Sequence, residues 1–307
     1  MKKILIVKPS SLGDVVHGMR IVRQIKIAFP ESEIHWVIKK DLEGILDTVG
    51  WVDKYFIFER GRGLFPYLKL ISEIRKFEYD CCLDLQGLLR SSVIAKFSNS
   101  ELKLGRSDGR EFSTLFYNRV GLSHKNLQIH AIARLTAFLT ELGITKFDKN
   151  LPLDLNSNSK LKNTIPARSI ILFPESRRSE KVWPFFKELA IELNKISQWK
   201  VIIAGNHKDN RFPNCIDIRE SITLSDLPSI INKASLIICN DSAPLHIASA
   251  LRKKLVALFG PTEPEIYGPY PLDHQNNIII RSLTGRVKDI KLNSVQDASI
   301  RLLKDII

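Results

Sequence analysis

Short, uninterrupted apolar runs alternate with helical stretches along this chain, and no other feature restricts its fold as tightly. KKILIVK, EIHWVIK, KYFIF and YDCCLDL lie in the first half; SIILFPES, WKVIIAGN, ASLIICND and KLVALFG lie in the second. A strand with one wet face alternates apolar and polar residues, whereas a parallel strand covered by helices on both faces need not. These runs are of the second kind. Between them, helices are expected over Asp14–Phe29, Leu42–Val49 and Pro66–Lys76, and segments near Leu102–Arg106 and His130–Leu142 complete a first half. In the second half WPFFKELAIELNKI reads as a helix with Pro184 near its first turn. LNSVQDASIRLLKDII reads as an amphipathic helix after the last strand. The polar stretch LPLDLNSNSKLKNTIP, Leu151–Pro166, is the candidate linker. The expected fold class is therefore α/β: two doubly wound domains of similar size, with function in the cleft at the strand carboxyl ends.

A chain of 307 residues is long enough for two such domains. No apolar run approaches the roughly 20 residues that span a bilayer, and Ile4–Val7 is too short for a signal-peptide core. Cys81, Cys82, Cys215 and Cys239 sit in or beside strand-like runs without a CxxC pair. They read as reduced core residues of a cytoplasmic protein, neither a disulfide framework nor a zinc site. The formal net charge of +13 admits several causes: nucleic acid, an anionic membrane surface, an acidic substrate, or simply a solvated basic surface. Basic and acidic residues are interspersed and no aromatic stacking platform accompanies them, so nucleic acid is not the expected partner.

Four expected strand ends concentrate reactive groups: Ser10–Asp14, Glu175–Lys181, Gly205–Asp209 and Asn240–His246. The first strand empties into PSSLGD, which has neither the G-x-G-x-x-G nor the Gly-Lys-Ser ending of a phosphate loop. What it presents is a carboxylate, Asp14. Two readings stand: Ser10, Ser11 and Asp14 as helix-capping residues, or Asp14 as a working carboxylate. In NDSAPLHIASA, Asp241 and Ser242 either cap the following helix or help seat a diphosphate at its positive end. FPESRRSEKVWP places Arg177, Arg178 and Lys181 at another strand end, three cations in five positions, which suits a diphosphate. The sequence has no Asp-x-Asp, no histidine pair at i, i+4 and no G-x-S-x-G elbow, so neither a bound metal nor a serine nucleophile is expected.

VKPSSLGDVVHG, DLQGLLRS, LFPESRRSEKVWP and NDSAPLHIASALRKKLVALFGPTEPEIYG together resemble the ADP-heptose:lipopolysaccharide heptosyltransferases, glycosyltransferase family nine. The likeness runs in order from the first strand to about Gly268. DLQGLLRSS with FSTLFYNR looks most similar to the subtype that adds the first heptose to the Kdo of lipid A. The resemblance implies a GT-B architecture, with an acceptor domain over residues 1–155 and a donor domain over 156–289. It also implies that a final helix at about 290–307 returns to the first domain. Asp14 takes the position of the general base of an inverting transfer. Lys181, ahead of the Trp-Pro pair, takes that of the lysine on the donor diphosphate. Asp241, Ser242 and His246 match the block that cradles ADP-heptose, with Ala243 where the family usually has glycine. Asp209 falls nearest the position of a ribose-holding glutamate, and Ser176, Arg177 and Ile222 fall at other donor contacts.

On the acceptor side Ser10 and Gly13 belong to the Asp14 turn, while Arg60, Arg62 and Arg119 are expected to meet the Kdo carboxylates or lipid A phosphates of the implied acceptor, or else to serve attraction to the anionic membrane. Implied partners are ADP-heptose, Kdo-lipid A and the anionic cytoplasmic face of the inner membrane, with peripheral association, no nucleic acid and no cofactor or metal. The same family acting on another acceptor, such as one for a second heptose, is the nearest alternative, and a basic nucleic-acid-binding protein is the alternative from another class.

Overall fold

The computed structural model describes residues 1–121, 129–156, 163–196, 198–206 and 211–304. Its contacts divide the chain into two units, Met1–Leu151 and Pro152–Ile307. The break falls four residues before the expected boundary: Leu153 and Leu155 are buried, and the Leu153 N–H donates to the Ala250 carbonyl of the second unit.

The first unit is a six-stranded sheet of β1 (Lys3–Val7), β2 (Glu33–Ile38), β3 (Lys54–Ile57), β4 (Tyr79–Asp84), β5 (Ser100–Arg106) and β6 (Arg119–Gly121). The order is β3-β2-β1-β4-β5-β6 and every pairing is parallel. This is the doubly wound order, whose direction of winding reverses between β1 and β4. Helices α1 (Leu12–Ala28), α2 (Leu64–Ile74) and α3 (Leu89–Phe97) connect β1 to β2, β3 to β4 and β4 to β5, and α4 (Ala131–Glu141) follows β6. Ile4–Val7 are fully buried because the sheet is covered on both faces; Leu5 and Val7 pack with Val37, Phe56, Ile74, Cys82 and Ile94.

The second unit repeats this plan with β7 (Ser169–Phe173), β8 (Lys200–Ile203), β9 (Ile216–Asp217), β10 (Leu236–Asn240), β11 (Leu255–Phe259) and β12 (Asn277–Arg281). Their order, β12-β11-β10-β7-β8-β9, is the same winding counted from β7, and it reverses between β7 and β10. Its helices are α5 (Phe186–Asn194), α6 (Leu227–Lys233), α7 (Ala243–Ala250), α8 (Pro264–Tyr267) and α9 (Leu292–Leu303).

Two expectations change. The stretch expected as a helix over Leu42–Val49 is a 3-10 helix, Lys40–Thr48. The terminal helix α9 does not leave the second unit: Val295, Ala298, Leu302 and Leu303 are buried in one core with Leu172, Trp183, Ile238 and Val256. The Trp183 indole N–H binds the Ile290 carbonyl at 2.9 Å and Lys254 Nζ binds the Leu302 carbonyl at 2.6 Å, so both ends of α9 are anchored there. An amphipathic stripe has to be covered, and the apolar face of this unit's own sheet covers it. The buried cysteines are inert thiols; burial pushes Cys81 up to about 12 and raises Cys82 and Cys239 further. No helix among the described residues is long and apolar enough to cross a membrane.

Candidate active site

Each sheet gathers its polar residues where its winding reverses. In the first unit Val7 of β1 pairs with Asp84 of β4, so the segments following these two strands start side by side. Ser11 caps α1 in extended conformation, and Asp14 lies in the helix's first turn. Asp14 Oδ2 accepts the Ser11 N–H at 3.1 Å and the Ser11 hydroxyl at 2.8 Å. The capping reading is therefore realised, with aspartate as the acid of the capping box. Capping does not exhaust the group, because a carboxylate offers about four acceptor directions. Asp14 is half-buried.

A second carboxylate, Asp84, is fully buried beside this turn. Its Oδ1 accepts the N–H groups of Gln86 at 2.9 Å and Gly87 at 3.1 Å, and its Oδ2 accepts the Tyr117 hydroxyl at 2.7 Å. Gly87 has φ +69°, which lets the chain fold back onto the carboxylate. Burial pushes the Asp84 carboxyl above its ordinary range, against the pull of these donors. Gln86 Oε1 in turn accepts the Ser10 N–H at 3.4 Å. Lys8 is buried in the same place; burial lowers its pKa, Asp14 and Asp84 oppose that fall, and Arg106 adds to it. Arg106 grips Asp108 through two bonds of 2.8 and 2.6 Å, and Arg134 approaches the same carboxylate at 3.5 Å. Burial opposes ionisation of Asp108, but the two guanidinium groups hold its carboxyl below the usual range. Asp14 is thus held beside a turn stiffened by buried charge.

The Tyr117 ring lies where a Cβ on Gly105 would be. Gly105→Ala should displace Tyr117, leave Asp84 short of one donor and cost about 1–3 kcal/mol in urea unfolding. An unchanged unfolding midpoint would show that the ring moves freely.

In the second unit, β7 and β10 place Lys181 against Asp241. Lys181 ends a 3-10 turn, Ser179–Lys181, and its Nζ meets Asp241 Oδ2 at 2.5 Å. Thr262, after β11, donates its hydroxyl to the same oxygen at 2.6 Å. Asn240 ties the two strand ends together: its Oδ1 accepts the Trp183 N–H at 3.0 Å and its amide donates to the Pro174 carbonyl at 3.0 Å. Ser242 is the N-cap of α7, with its hydroxyl on the Asn240 carbonyl at 3.3 Å. Ala243 is the first helical residue and His246 lies one turn further on, half-buried. An ammonium with three protons and a helix amino terminus therefore adjoin, which is an anion-binding arrangement.

The other expected residues are distributed as follows. Ser176 is half-buried and Arg177 exposed on the segment leading to Lys181. Arg178 spends its charge on Glu180 at 2.5 Å, so the three cations do not act as one cluster. Ile222 is half-buried after β9, and Asp209 lies outside the described residues. Gly13 follows the N-cap within α1. Arg60 and Arg62 sit on the exposed loop between β3 and α2, with Arg62 3.6 Å from Glu59. Arg119 begins β6 level with Leu104, short of the strand ends, and lies 3.9 Å from Glu141. Sequence reasoning passed over Thr262 and the Asp84–Tyr117 pair. Both were signalled by polar residues directly after buried runs, in LFGPT and CCLDLQG. Among the described residues no three His, Cys, Asp or Glu side chains group as a metal site.

The model of glycosyltransferase family 9 (heptosyltransferase) matches residues 67–296, which takes in Lys181, Asp241 and Thr262 and begins after the Asp14 turn. The chain is 26% identical over 297 residues to lipopolysaccharide heptosyltransferase 1 of Campylobacter coli, covering 85% of this chain and 84% of that protein. It is 24% identical over 326 residues to lipopolysaccharide heptosyltransferase 2 of Salmonella typhimurium, covering 96% and 92%. The structure of E. coli heptosyltransferase WaaC with ADP matches with a TM-score of 0.81 at 20% identity, over 98% of this chain and 99% of that one. The two units are those of a GT-B fold. With a family model matched over most of its length, the chain belongs to glycosyltransferase family 9, the heptosyltransferases, and is a glycosyltransferase.

Proposed function

We propose that the chain moves heptose from ADP-heptose to the Kdo of lipid A, with inversion, in synthesis of the lipopolysaccharide inner core. The observation that carries this reading is the chemistry at the two winding reversals: a carboxylate, Asp14, in one unit, and an ammonium beside a helix amino terminus, Lys181 and α7, in the other. ADP in the E. coli relative of the same fold supports an adenosine diphosphate donor. The Asp14 carboxylate takes the proton of the acceptor hydroxyl as its oxygen bonds to the anomeric carbon. The bond from that carbon to the diphosphate breaks, and ADP leaves with the electron pair. Lys181 and the N–H groups opening α7 stabilise the charge that develops on it. Asp241, itself bound by the Thr262 hydroxyl, holds Lys181 in place. The enzyme works at the cytoplasmic face of the inner membrane, where the lipid-linked acceptor is made available.

The test is ADP release from ADP-heptose with Kdo-lipid A, and separately with the acceptor already carrying one heptose. Turnover on the first alone supports the reading. Turnover on the second alone moves the protein to second-heptose addition, which the likeness to heptosyltransferase 2 keeps in play. No turnover on either, with salt-sensitive nucleic-acid binding in a gel shift, would point to the basic surface instead. Excess chelator should leave the rate within about twofold, because cation and helix dipole do the work a metal would otherwise do. Loss of activity restored by a divalent ion would overturn that.

Arg60→Ala/Arg62→Ala should raise KM for a deacylated, soluble acceptor about tenfold or more and leave KM for the donor unchanged. Arg119→Ala should change it little, because Arg119 begins β6 level with Leu104 and so lies short of the strand ends. Steady-state kinetics on the three variants checks both statements.

A further inference from the structure

The largest exposed apolar side chains of the first unit lie on neighbouring turns rather than scattered. Leu64 and Phe65, in the first turn of α2, are 69% and 79% exposed, and Leu68 follows on the same helix at 52%. Phe112 and Leu115, on the short 3-10 helix of residues 113–116 and its cap, are 82% and 76% exposed. The two turns are joined through the start of α3. The Tyr67 hydroxyl donates to the Arg90 carbonyl at 2.6 Å, and the neighbouring Leu89 N–H binds Glu111 Oε2 at 3.2 Å. Leu89 is itself exposed between them. Glu111 and Phe112 both hold left-handed backbone, φ +58° and +59°, an unfavourable state for residues with side chains. The strained turn holds an aromatic ring out into solvent, where the hydrophobic effect alone would not keep it.

Arginine and lysine border this apolar group: Arg60, Arg62 and Lys69 around α2, with Arg110 beside Phe112, all exposed. The acidic residues among them are Glu59, near Arg62, and Glu111, bound to the Leu89 N–H. A second copy of the chain would bring like charge against like charge at such a surface. A bilayer of anionic lipid offers the complement of both parts, headgroup phosphates for the cations and acyl chains for the rings. Resting on the lipid-linked acceptor put forward above, we propose that Leu64, Phe65, Phe112 and Leu115 insert into an anionic membrane while Arg60, Arg62, Lys69 and Arg110 bind its headgroups. The carboxyl ends of β3 and β5, which precede these turns, then face the lipid surface. Attachment has two parts, one screened by salt and one not.

The full chain should co-sediment with vesicles of phosphatidylethanolamine and phosphatidylglycerol, and keep a bound fraction at high salt. Phe65→Ser/Phe112→Ser should lower the partition coefficient at least about tenfold, with a far-ultraviolet spectrum and unfolding midpoint like the parent's. Its kcat/KM on the deacylated acceptor should stay within about twofold, and its rate on vesicle-borne acceptor should fall. Parent protein that does not pellet, or a serine variant that pellets as the parent does, would overturn the proposal. So would a parent dimer that the serine substitutions dissociate in sedimentation without lipid, which would make the surface a self-association site. The two readings fail separately. Turnover on soluble acceptor without vesicle binding removes the docking surface and keeps the transfer reaction. Vesicle binding without any transfer from ADP-heptose keeps the docking surface and removes the acceptor.

Discussion

Asp14→Asn is expected to turn over about 10² to 10⁴-fold more slowly than the parent, with donor affinity unchanged. The amide is nearly isosteric with the carboxylate and its oxygen can still accept from the Ser11 N–H and hydroxyl. What it lacks is the basic lone pair for the acceptor proton and the negative charge at the positive end of α1. The second loss costs about 0.3–1 kcal/mol of stability, small enough that the folded fraction is unaffected. The cap and the proposed base are thus read separately: stability reports the first and turnover the second. Ser11→Ala provides the complement, removing a donor to Asp14 while leaving the carboxylate. It should lower stability by about 0.5–2 kcal/mol and turnover far less than Asp14→Asn does. An Asn variant working at the parent's rate would reduce Asp14 to a cap.

The second large effect is expected at Lys181. Lys181→Ala should weaken ADP-heptose binding about 10- to 100-fold, as expected for a lost hydrogen bond from a charged group, and lower kcat as well. Its side chain is 15% exposed and that of Asp241 6%, so the substitution also strands a carboxylate that retains the Thr262 hydroxyl. Breaking a buried pair from one side costs up to about 3–5 kcal/mol. Lys181→Ala/Asp241→Asn, which leaves no uncompensated charge, should therefore be more stable than Lys181→Ala. It should not recover kcat, because the cation is still missing. A double-mutant cycle on urea unfolding and on donor affinity reads both. Equal stability of the single and double variants would mean that the pair contributes nothing to the fold. Unchanged donor affinity and rate in Lys181→Ala would remove Lys181 from the reaction.

Much of this architecture was legible because buried parallel strands write themselves as unbroken apolar runs, and eight of them stood out. β12 was passed over although its NIIIR run is apolar; other elements that escaped were weak for physical reasons. β6 and β9 are edge strands of three and two residues, too short to show any period. α3 has an apolar face broken by Ser91 and Ser92, which are buried because their hydroxyls bind the Leu88 and Leu89 carbonyls. Asp14, Lys181 and Asp241 could be singled out as candidates because each follows a buried run or matches a motif. That Lys181 and Asp241 form a pair could not be read from residues 60 apart in the chain; it follows from β7 lying beside β10. Thr262 entered only with β11, the next strand outward. The destination of α9 could not be read either, since an amphipathic stripe states that it needs a partner and not which one.

That destination bears on how the protein is made. Every strand of the first sheet lies within Met1–Leu151, so this unit can close while the rest of the chain is still on the ribosome. The second unit cannot. Until α9 arrives, the faces of β10, β11 and β12 that it covers, with Ile238 and Val256 among them, stay open. At about 5–20 residues per second, the stretch from Pro152 to Leu303 takes on the order of 10–30 s to synthesise. During that time the second unit carries an exposed apolar sheet while the first is already closed. Chains arrested just before α9 should be the aggregation-prone and protease-sensitive species in a cell, and nascent-chain release at that point should be where chaperone dependence concentrates.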